Sequence, residues 1–310
     1  MKYIISDVFD YEKHIAPDIG NKYAKNMGWE IGTLSTIDLK NENTFVLDAL
    51  FVENEYPQIK KIITHHPENL FIVSVIDPCF HHRENSHYKF INEMHRYDNV
   101  CIVSRYKPSE LIKEIMYTYG NNRFFFLPNA FVDYNIELED FNKKRNKIIV
   151  SGAYDKNVYP LRAIFINRIK RSFFLKHKVS TLRHPGYIDI IPGEYLHDII
   201  GEKYVRYLSG FKYMFITPSR CDCELLKYSE CAAAGCLPVG KACSSLPEQA
   251  KENVVEIDFD SIGKSIKRIF SIPVDEAKEM AQNYRNIIIK ERSKDILNHM
   301  LNEFVKNYKK

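Results

Sequence analysis

Short apolar runs alternate with amphipathic stretches from end to end, and that alternation predicts an α/β protein. In the first half the strand candidates are Tyr3–Ile5, Phe45–Leu47, Leu70–Ile76, Val100–Ser104 and Phe124–Leu127. Helical patterns lie between them. Over Ser86–His95, Tyr88, Ile91 and His95 recur at helical spacing, and over Ser109–Tyr119 the serine is placed to cap a helix just after Pro108. The interval 135–147 (NIELEDFNKKRNK) carries neither apolar period and sits near the midpoint, so it reads as a linker. Alternation then restarts. Ile148–Val150, Val179–Leu182, Tyr213–Thr217, Leu237–Val239 and Val254–Ile257 predict strands. Pro160 opens one helix, and Lys227–Ala234, Asp275–Lys290 and Ser293–Tyr308 predict others. Two α/β domains of similar size facing a cleft are expected, over 1–140 and 141–290, with a terminal helix over 291–310 crossing back to the first.

Composition narrows the class. With 310 residues, 45% hydrophobic and 27% charged, the chain is neither collagen-like nor a disordered tail nor a disulfide miniprotein. No apolar run approaches the ~18–20 residues that span a bilayer. Asp7, Asp10 and Glu12 interrupt the N-terminal apolar stretch, so it does not read as a signal peptide and a cytoplasmic location is expected. The seven cysteines are an odd count with none in the first quarter, which fits a reducing compartment. Charge is uneven. Residues 159–185 hold seven Lys/Arg and no Asp/Glu, on a chain whose net charge is only +4. Such a field attracts phosphate-bearing ligands or anionic surfaces. Together with six Lys/Arg against three Asp/Glu over 286–310, it allows peripheral contact with an anionic membrane.

The chemistry concentrates in residues 211–248, FKYMFITPSRCDCELLKYSECAAAGCLPVGKACSSLPE. An apolar strand ends in a polar loop with Pro218, Ser219, Arg220 and Asp222. A helix beginning near Glu224 or Leu225 then carries Lys227 and Glu230, runs through Ala232–Ala234 and stops at Gly235. In an open α/β sheet, ligands bind beyond the C-terminal strand ends, where helix N-termini suit a diphosphate. Lys227 and Arg220 add formal charge there, and Glu230 offers a paired acceptor for vicinal ribose hydroxyls.

The segment resembles the C-terminal signature of GT-B glycosyltransferases, of the broad group-1 type and its spore-maturation CgeB-like branch. Asp222, seven intervening residues and Glu230 fit the acid spacing, and Glu230-Cys-Ala-Ala-Ala-Gly-Cys-Leu-Pro-Val239 is similar to the second half of that signature. The phrase Ala-Gly-Cys-Leu-Pro-Val also has a weaker resemblance to exostosin-type transferases. The first acid is usually Glu in the group-1 type; here it is the shorter Asp222. Ile148-Ile-Val-Ser-Gly152 followed by Tyr159-Pro-Leu-Arg162 resembles the opening strand, loop and helix of the CgeB-like C-terminal domain. Asn122–Ala130 is similar to the final strand of the N-terminal domain and its exit.

The resemblance implies two Rossmann-like domains and a nucleoside-diphosphate sugar donor, UDP- or GDP-linked, with no other cofactor and no metal. Glu230 would hold the ribose, Lys227 would neutralise the diphosphate and Asp222 would approach the donor sugar. Ser151 and Gly152 would let backbone near the phosphates, with Arg162, Ser219 and Arg220 around them. The implied reaction is metal-independent transfer, with retention, to a hydroxyl of a glycan, a lipid-linked glycan or a protein. A transferase glucosylating DNA bases and a non-catalytic nucleotide-sugar-binding protein are the rival readings, the basic run being the only support for a nucleic acid.

Two polar clusters in the first half follow apolar runs, where the alternating fold predicts cleft-facing loops: Thr64-His-His-Pro67 and Asp77-Pro-Cys-Phe-His-His82. Imidazole titrates near neutrality, so His81 or His82 is a candidate to take the acceptor proton, with Asp77 orienting it or acting as the base itself. A zinc site from His81, His82, Cys221 and Cys223 lacks the usual two-residue cysteine separation. Cys231, Cys236 and Cys243 read as small buried apolar residues.

Overall fold

The computed structural model describes residues 1–8, 24, 27–40, 44–48, 51, 53–75, 86–94, 96–105, 113, 123–131, 134–185 and 199–308. The chain divides into two compact units, Met1–Ala130 with Lys294–Lys310, and Phe131–Ser293.

The first unit's described strands are β1 (Lys2–Ile5), β2 (Glu30–Thr33), β3 (Thr44–Leu47), β4 (Leu70–Val75), β5 (Val100–Ser104) and β6 (Phe124–Phe126). They pair in parallel in the order β2-β1-β3-β4-β5-β6. Helices α1 (Tyr56–His65) and α2 (Ser86–Met94) follow β3 and β4. Period-2 alternation sorts the side chains. Ile4, Phe45, Leu47, Phe71 and Val73 pack with Ile59 and Ile63 of α1 and Phe90 and Ile91 of α2. Their neighbours Tyr3, Val46 and Ile72 face the other way, onto Trp29, Leu297 and Leu301. With both faces covered, the central strands are buried throughout, which is why β4 reads as a nearly continuous apolar run broken only by Ser74.

The second unit has β7 (Arg145–Ser151), β8 (Val179–Leu182), β9 (Phe211–Ile216), β10 (Leu237–Gly240) and β11 (Val255–Glu256), all parallel, in the order β11-β10-β9-β7-β8. Its helices are α3 (Pro160–Lys170), α4 (Phe173–Lys176), α5 (Gly201–Ser209), α6 (Lys227–Ala233), α7 (Glu248–Lys251), α8 (Ile262–Ser271) and α9 (Val274–Glu291); α10 (Lys294–Tyr308) closes the chain on the first unit. Helices α3 and α8 cover one sheet face and α5 and α6 the other, while α9 gives Ala277 and Ala281 to the first layer and Tyr284 and Ile288 to the second. Counted within each unit, both sheets contain the doubly wound order 2-1-3-4-5, whose switch point lies between the first and third strands. In the second unit that is the gap between β7 and β9.

Three expectations are corrected. The interval 135–147 is not a linker. It belongs to the second unit, where Phe141 is buried and Lys144, 4% exposed, donates to the carbonyls of Ala234 (2.8 Å) and Gly235 (2.7 Å). A charged residue spent on the open carbonyls at the end of α6 is indistinguishable, by composition, from a solvated one. Of the two starts expected for α6, Lys227 is the observed one and Glu224 or Leu225 is not, because Glu224 is held in a buried ion pair with Arg292 (3.0 Å) and a bond from Ser245 (2.7 Å). Thr64–Pro67 ends α1 and precedes β4, which puts it at the N-terminal edge of the sheet, away from the ligand-binding edge. There the imidazole of His65 contacts the Lys61 carbonyl and that of His66 pairs with Glu68. Of the helix expected over 109–119 only Lys113, helical, is described. The described cysteines Cys101, Cys223, Cys231, Cys236 and Cys243 are all buried.

Candidate functional site

Strand β7 ends at Ser151 and the chain turns at Gly152 with φ +100°, a conformation that L side chains rarely adopt. A Cβ on Gly152 would stand 3.1 Å from Arg162 Nη1 and 3.4 Å from Lys227 Cε. Glycine is thus required twice, for the turn and for the approach of two cations to the strand end. Pro160 and Arg162 lie in the first turn of α3, and Lys227 opens α6. The switch point brings both helix starts to the same edge.

Arg162 is 2% exposed. Its Nη1 donates to the Ala153 carbonyl at 3.0 Å and its guanidinium lies over the Tyr159 ring, while Nε and Nη2 are buried with no hydrogen-bond partner. Burial depresses its pKa, partly offset by Tyr159, Tyr204 and Glu230, yet a guanidinium remains charged in any protein. A buried cation with unspent donors costs free energy unless an anion meets it.

Tyr204, on α5, organises the rest. Its hydroxyl lies 2.6 Å from Ser151 Oγ and accepts from Lys227 Nζ at 2.6 Å. The ammonium also sits 4.5 Å from the Tyr204 ring centroid and pairs with Glu230 Oε2 at 3.2 Å. Burial alone would lower the Lys227 pKa; Glu230 and Tyr204 outweigh it, so the amine titrates above its ordinary value. Burial raises the Tyr204 phenol, which stays neutral and able to bridge.

Of the residues proposed from sequence, Ser151, Gly152, Arg162, Lys227 and Glu230 come together here. Ser219 and Arg220 lie at the exit of β9, on the same edge. The Ser219 hydroxyl turns toward the Arg220 carbonyl (3.3 Å), and the Arg220 N–H donates to Val158 (2.9 Å), tying this loop to the one before α3. Asp222 is exposed, at φ +55°, and accepts from the Ser244 N–H at 2.8 Å, which engages it with the loop after β10. Asp77, His81 and His82 lie outside the described residues. Sequence reasoning missed Tyr204. It also missed the polar group at the first unit's own switch point, where Ser6 Oγ and the Asp7 N–H both donate to the buried Glu55 (2.6 and 2.9 Å) and Tyr3 donates to Asp48 (2.8 Å).

No family model matches the chain. No curated protein matches it in sequence either. Solved structures do match in fold. An α-glucosyltransferase in complex with UDP and a 13-mer DNA containing an HMU base is 11% identical, over 100% of both chains, with TM-score 0.53. A UDP-forming α,α-trehalose-phosphate synthase from Burkholderia xenovorans is 12% identical over 95% of this chain and 80% of its own, with TM-score 0.59. Trehalose-6-phosphate synthase from E. coli, bound with UDP-2-fluoro glucose, is 12% identical over 87% and 74%, also with TM-score 0.59. The fold is GT-B. Identities this low establish the two Rossmann-like domains of that architecture and nothing finer. Among the described residues, no helix is long and apolar enough to cross a membrane.

Proposed function

We propose that this chain is a glycosyltransferase that moves a sugar from a nucleoside-diphosphate sugar to a hydroxyl acceptor. The observation that carries the reading is Arg162: a buried guanidinium with two unspent donors, beside Lys227, at the switch point of a parallel sheet. Breaking a glycosidic bond to phosphate places growing negative charge on the leaving diphosphate, and preorganised cations stabilise it most in a low-dielectric site. Arg162 and Lys227 bring two formal charges, as many as a divalent ion, so the transfer is proposed as metal-independent. Ser151 and Gly152 let backbone approach the phosphates, and Glu230, with one oxygen on Lys227, accepts from the ribose. Ser219 and Arg220 border the donor, and Asp222 reaches its sugar once released from Ser244.

UDP is favoured over GDP because the fold neighbours include proteins solved with UDP and UDP-2-fluoro glucose. The CgeB-like assignment and the retaining outcome rest on the sequence resemblance over 222–239. Asp77 and His81 are retained as the pair that takes the acceptor proton, the acceptor being a glycan, a lipid-linked glycan or a protein.

The test is a thermal-shift screen of nucleoside diphosphates and their sugars. A ligand that binds only the native state at a hundred times its Kd adds about 2.7 kcal/mol. UDP or a UDP-sugar is expected to raise the midpoint, and Arg162→Gln and Lys227→Ala to abolish the rise while keeping the fold. Wild-type-like transfer in Lys227→Ala would refute the assignment. Retained nucleotide affinity with no turnover on any donor would identify a non-catalytic binder instead. A second reading, glucosylation of a DNA base, is favoured by the DNA-bound neighbour matching over the whole chain. It requires duplex binding that weakens steeply with salt.

A further inference from the structure

The basic run does not end at Arg162. Helix α3 carries it about 16 Å, at 1.5 Å per residue, from the donor site to the opposite, N-terminal edge of the sheet, where α4 leads into β8. There two adjacent phenylalanines stand in water. Phe173 is 73% and Phe174 82% exposed, the highest values of any large hydrophobic residue described. Ser172 caps this single turn through the Leu175 N–H, and Leu175 packs on the core, which fixes the two rings outward. They meet edge-on at 5.9 Å, with the His177 ring 5.2 Å from Phe173. Arg168, Lys170, Arg171, Lys176 and Lys178 flank them along the chain, all exposed, with the Lys170 ammonium 6.0 Å from the Tyr154 ring and that of Lys178 4.6 Å from the Phe270 ring. Arg168 and Arg171 also border an open groove of about 420 Å³ whose other walls are mainly apolar, Ile164, Phe259 and Ile262, with Asp260 as its one acid.

We infer that Phe173 and Phe174 form a docking point for an anionic phospholipid surface. Charge and shape choose this occupant. A second copy of the chain would bring the same cations face to face. The backbone of duplex DNA accepts the cations but gives two protruding phenyl rings no apolar place to go. An anionic bilayer takes both: the rings enter the boundary between headgroups and acyl chains, and the basic side chains remain among the phosphates. The surface lies a helix length from Arg162, so the inference does not depend on the donor reading.

The experiment is co-sedimentation of the full chain with vesicles of phosphatidylcholine alone or mixed with phosphatidylglycerol. Wild type is expected to pellet with the mixed vesicles only, and to be released by high salt. Phe173→Ser/Phe174→Ser should lower the partition coefficient at least tenfold, and Arg171→Gln/Lys176→Gln should lower it in low salt alone. Both should keep the wild-type response to nucleotides, which separates failure here from failure at the donor site. Phe174→Trp supplies a direct signal, since the chain's one tryptophan, Trp29, is buried: its emission should shift to the blue on mixed vesicles. Equal binding to both vesicle types, undiminished binding by the double serine variant, no spectral shift, or duplex DNA outcompeting vesicles would each overturn the inference.

Discussion

A single hydroxyl links the strand end to the cation: Tyr204 bridges Ser151 and Lys227 with two contacts of 2.6 Å. A hydrogen bond to a charged group is worth about 1.5–3 kcal/mol. Tyr204→Phe, which removes only oxygen, is therefore expected to weaken nucleotide binding and kcat/KM by roughly 10–100-fold at unchanged fold; titration calorimetry and steady-state rates measure it. Ser151→Ala should cost less, since Lys227 keeps its partner. Glu230 sets a second test. In the native protein Glu230 holds the Lys227 pKa above its ordinary value, so the pair's stabilisation is complete below the free lysine pKa of about 10.4 and is lost only above the raised value. In Glu230→Gln the largest raising influence is lost and the Lys227 pKa falls from its native value, so nucleotide affinity should decline at lower pH than in wild type. An alkaline limb of the Kd profile that does not move would refute the pairing. Gly152, Arg162, Lys227 and Glu230 were legible because each sits in a short motif beside a strand end. Tyr204 was not, being 53 residues from Ser151 and 23 from Lys227. The available signal was weak: a tyrosine four residues before the buried Leu208 on one helix, whose hydroxyl needs a partner.

Two charged residues hold elements in place, and both mislead a sequence reading. Glu224 and Asp222 stand two apart, and the more motif-like of them is the exposed one. Glu224, at 2% exposure, joins the turn before α6 to Ser245 and to Arg292 at the end of α9. Removing one partner of a buried ion pair typically costs 3–5 kcal/mol, whereas replacing both with apolar residues costs far less. Glu224→Ala should lower the stability of the second unit by about 3–5 kcal/mol in urea unfolding, and Glu224→Leu/Arg292→Met by clearly less. Lys144 shows the same thing from the other side. Its fate depends on Ala234 and Gly235, some ninety residues on, so no local pattern separates it from a linker lysine. The strands fared better because burial on both faces writes itself locally as an apolar run. The exception is β2, Glu-Ile-Gly-Thr, an edge strand with one bulky apolar residue and no run to detect.

At the scale of the molecule, the chain's last seventeen residues belong to its first unit. Helix α10 buries Leu297 and Leu301 completely against Tyr3, Val46 and Ile72, and Phe304 stacks on Phe125 at 4.7 Å. Asn298 accepts from the Trp29 indole at 2.7 Å and donates to the Met27 carbonyl at 2.6 Å, while the Tyr308 hydroxyl reaches the carbonyls of Asp98 and Val100. Fully burying two leucines contributes roughly 3–6 kcal/mol, before the aromatic contacts are counted. A domain's whole stability is about 5–15 kcal/mol. Deleting 294–310 therefore uncovers one face of the first sheet and removes a large part of what holds it. The second unit loses nothing, since its two apolar layers are built from residues 131–288. Hydrogen exchange resolved by segment should then show β1, β3, β4 and β5 losing protection in the truncated chain while β7, β9 and β10 keep theirs, with nucleotide-induced protection at 151–162 and 227–230 retained. Loss of protection spread evenly over both sheets would mean that the two units do not fold as separate bodies. Unchanged protection in β1 and β3 would mean that α10 contributes far less than its buried leucines require.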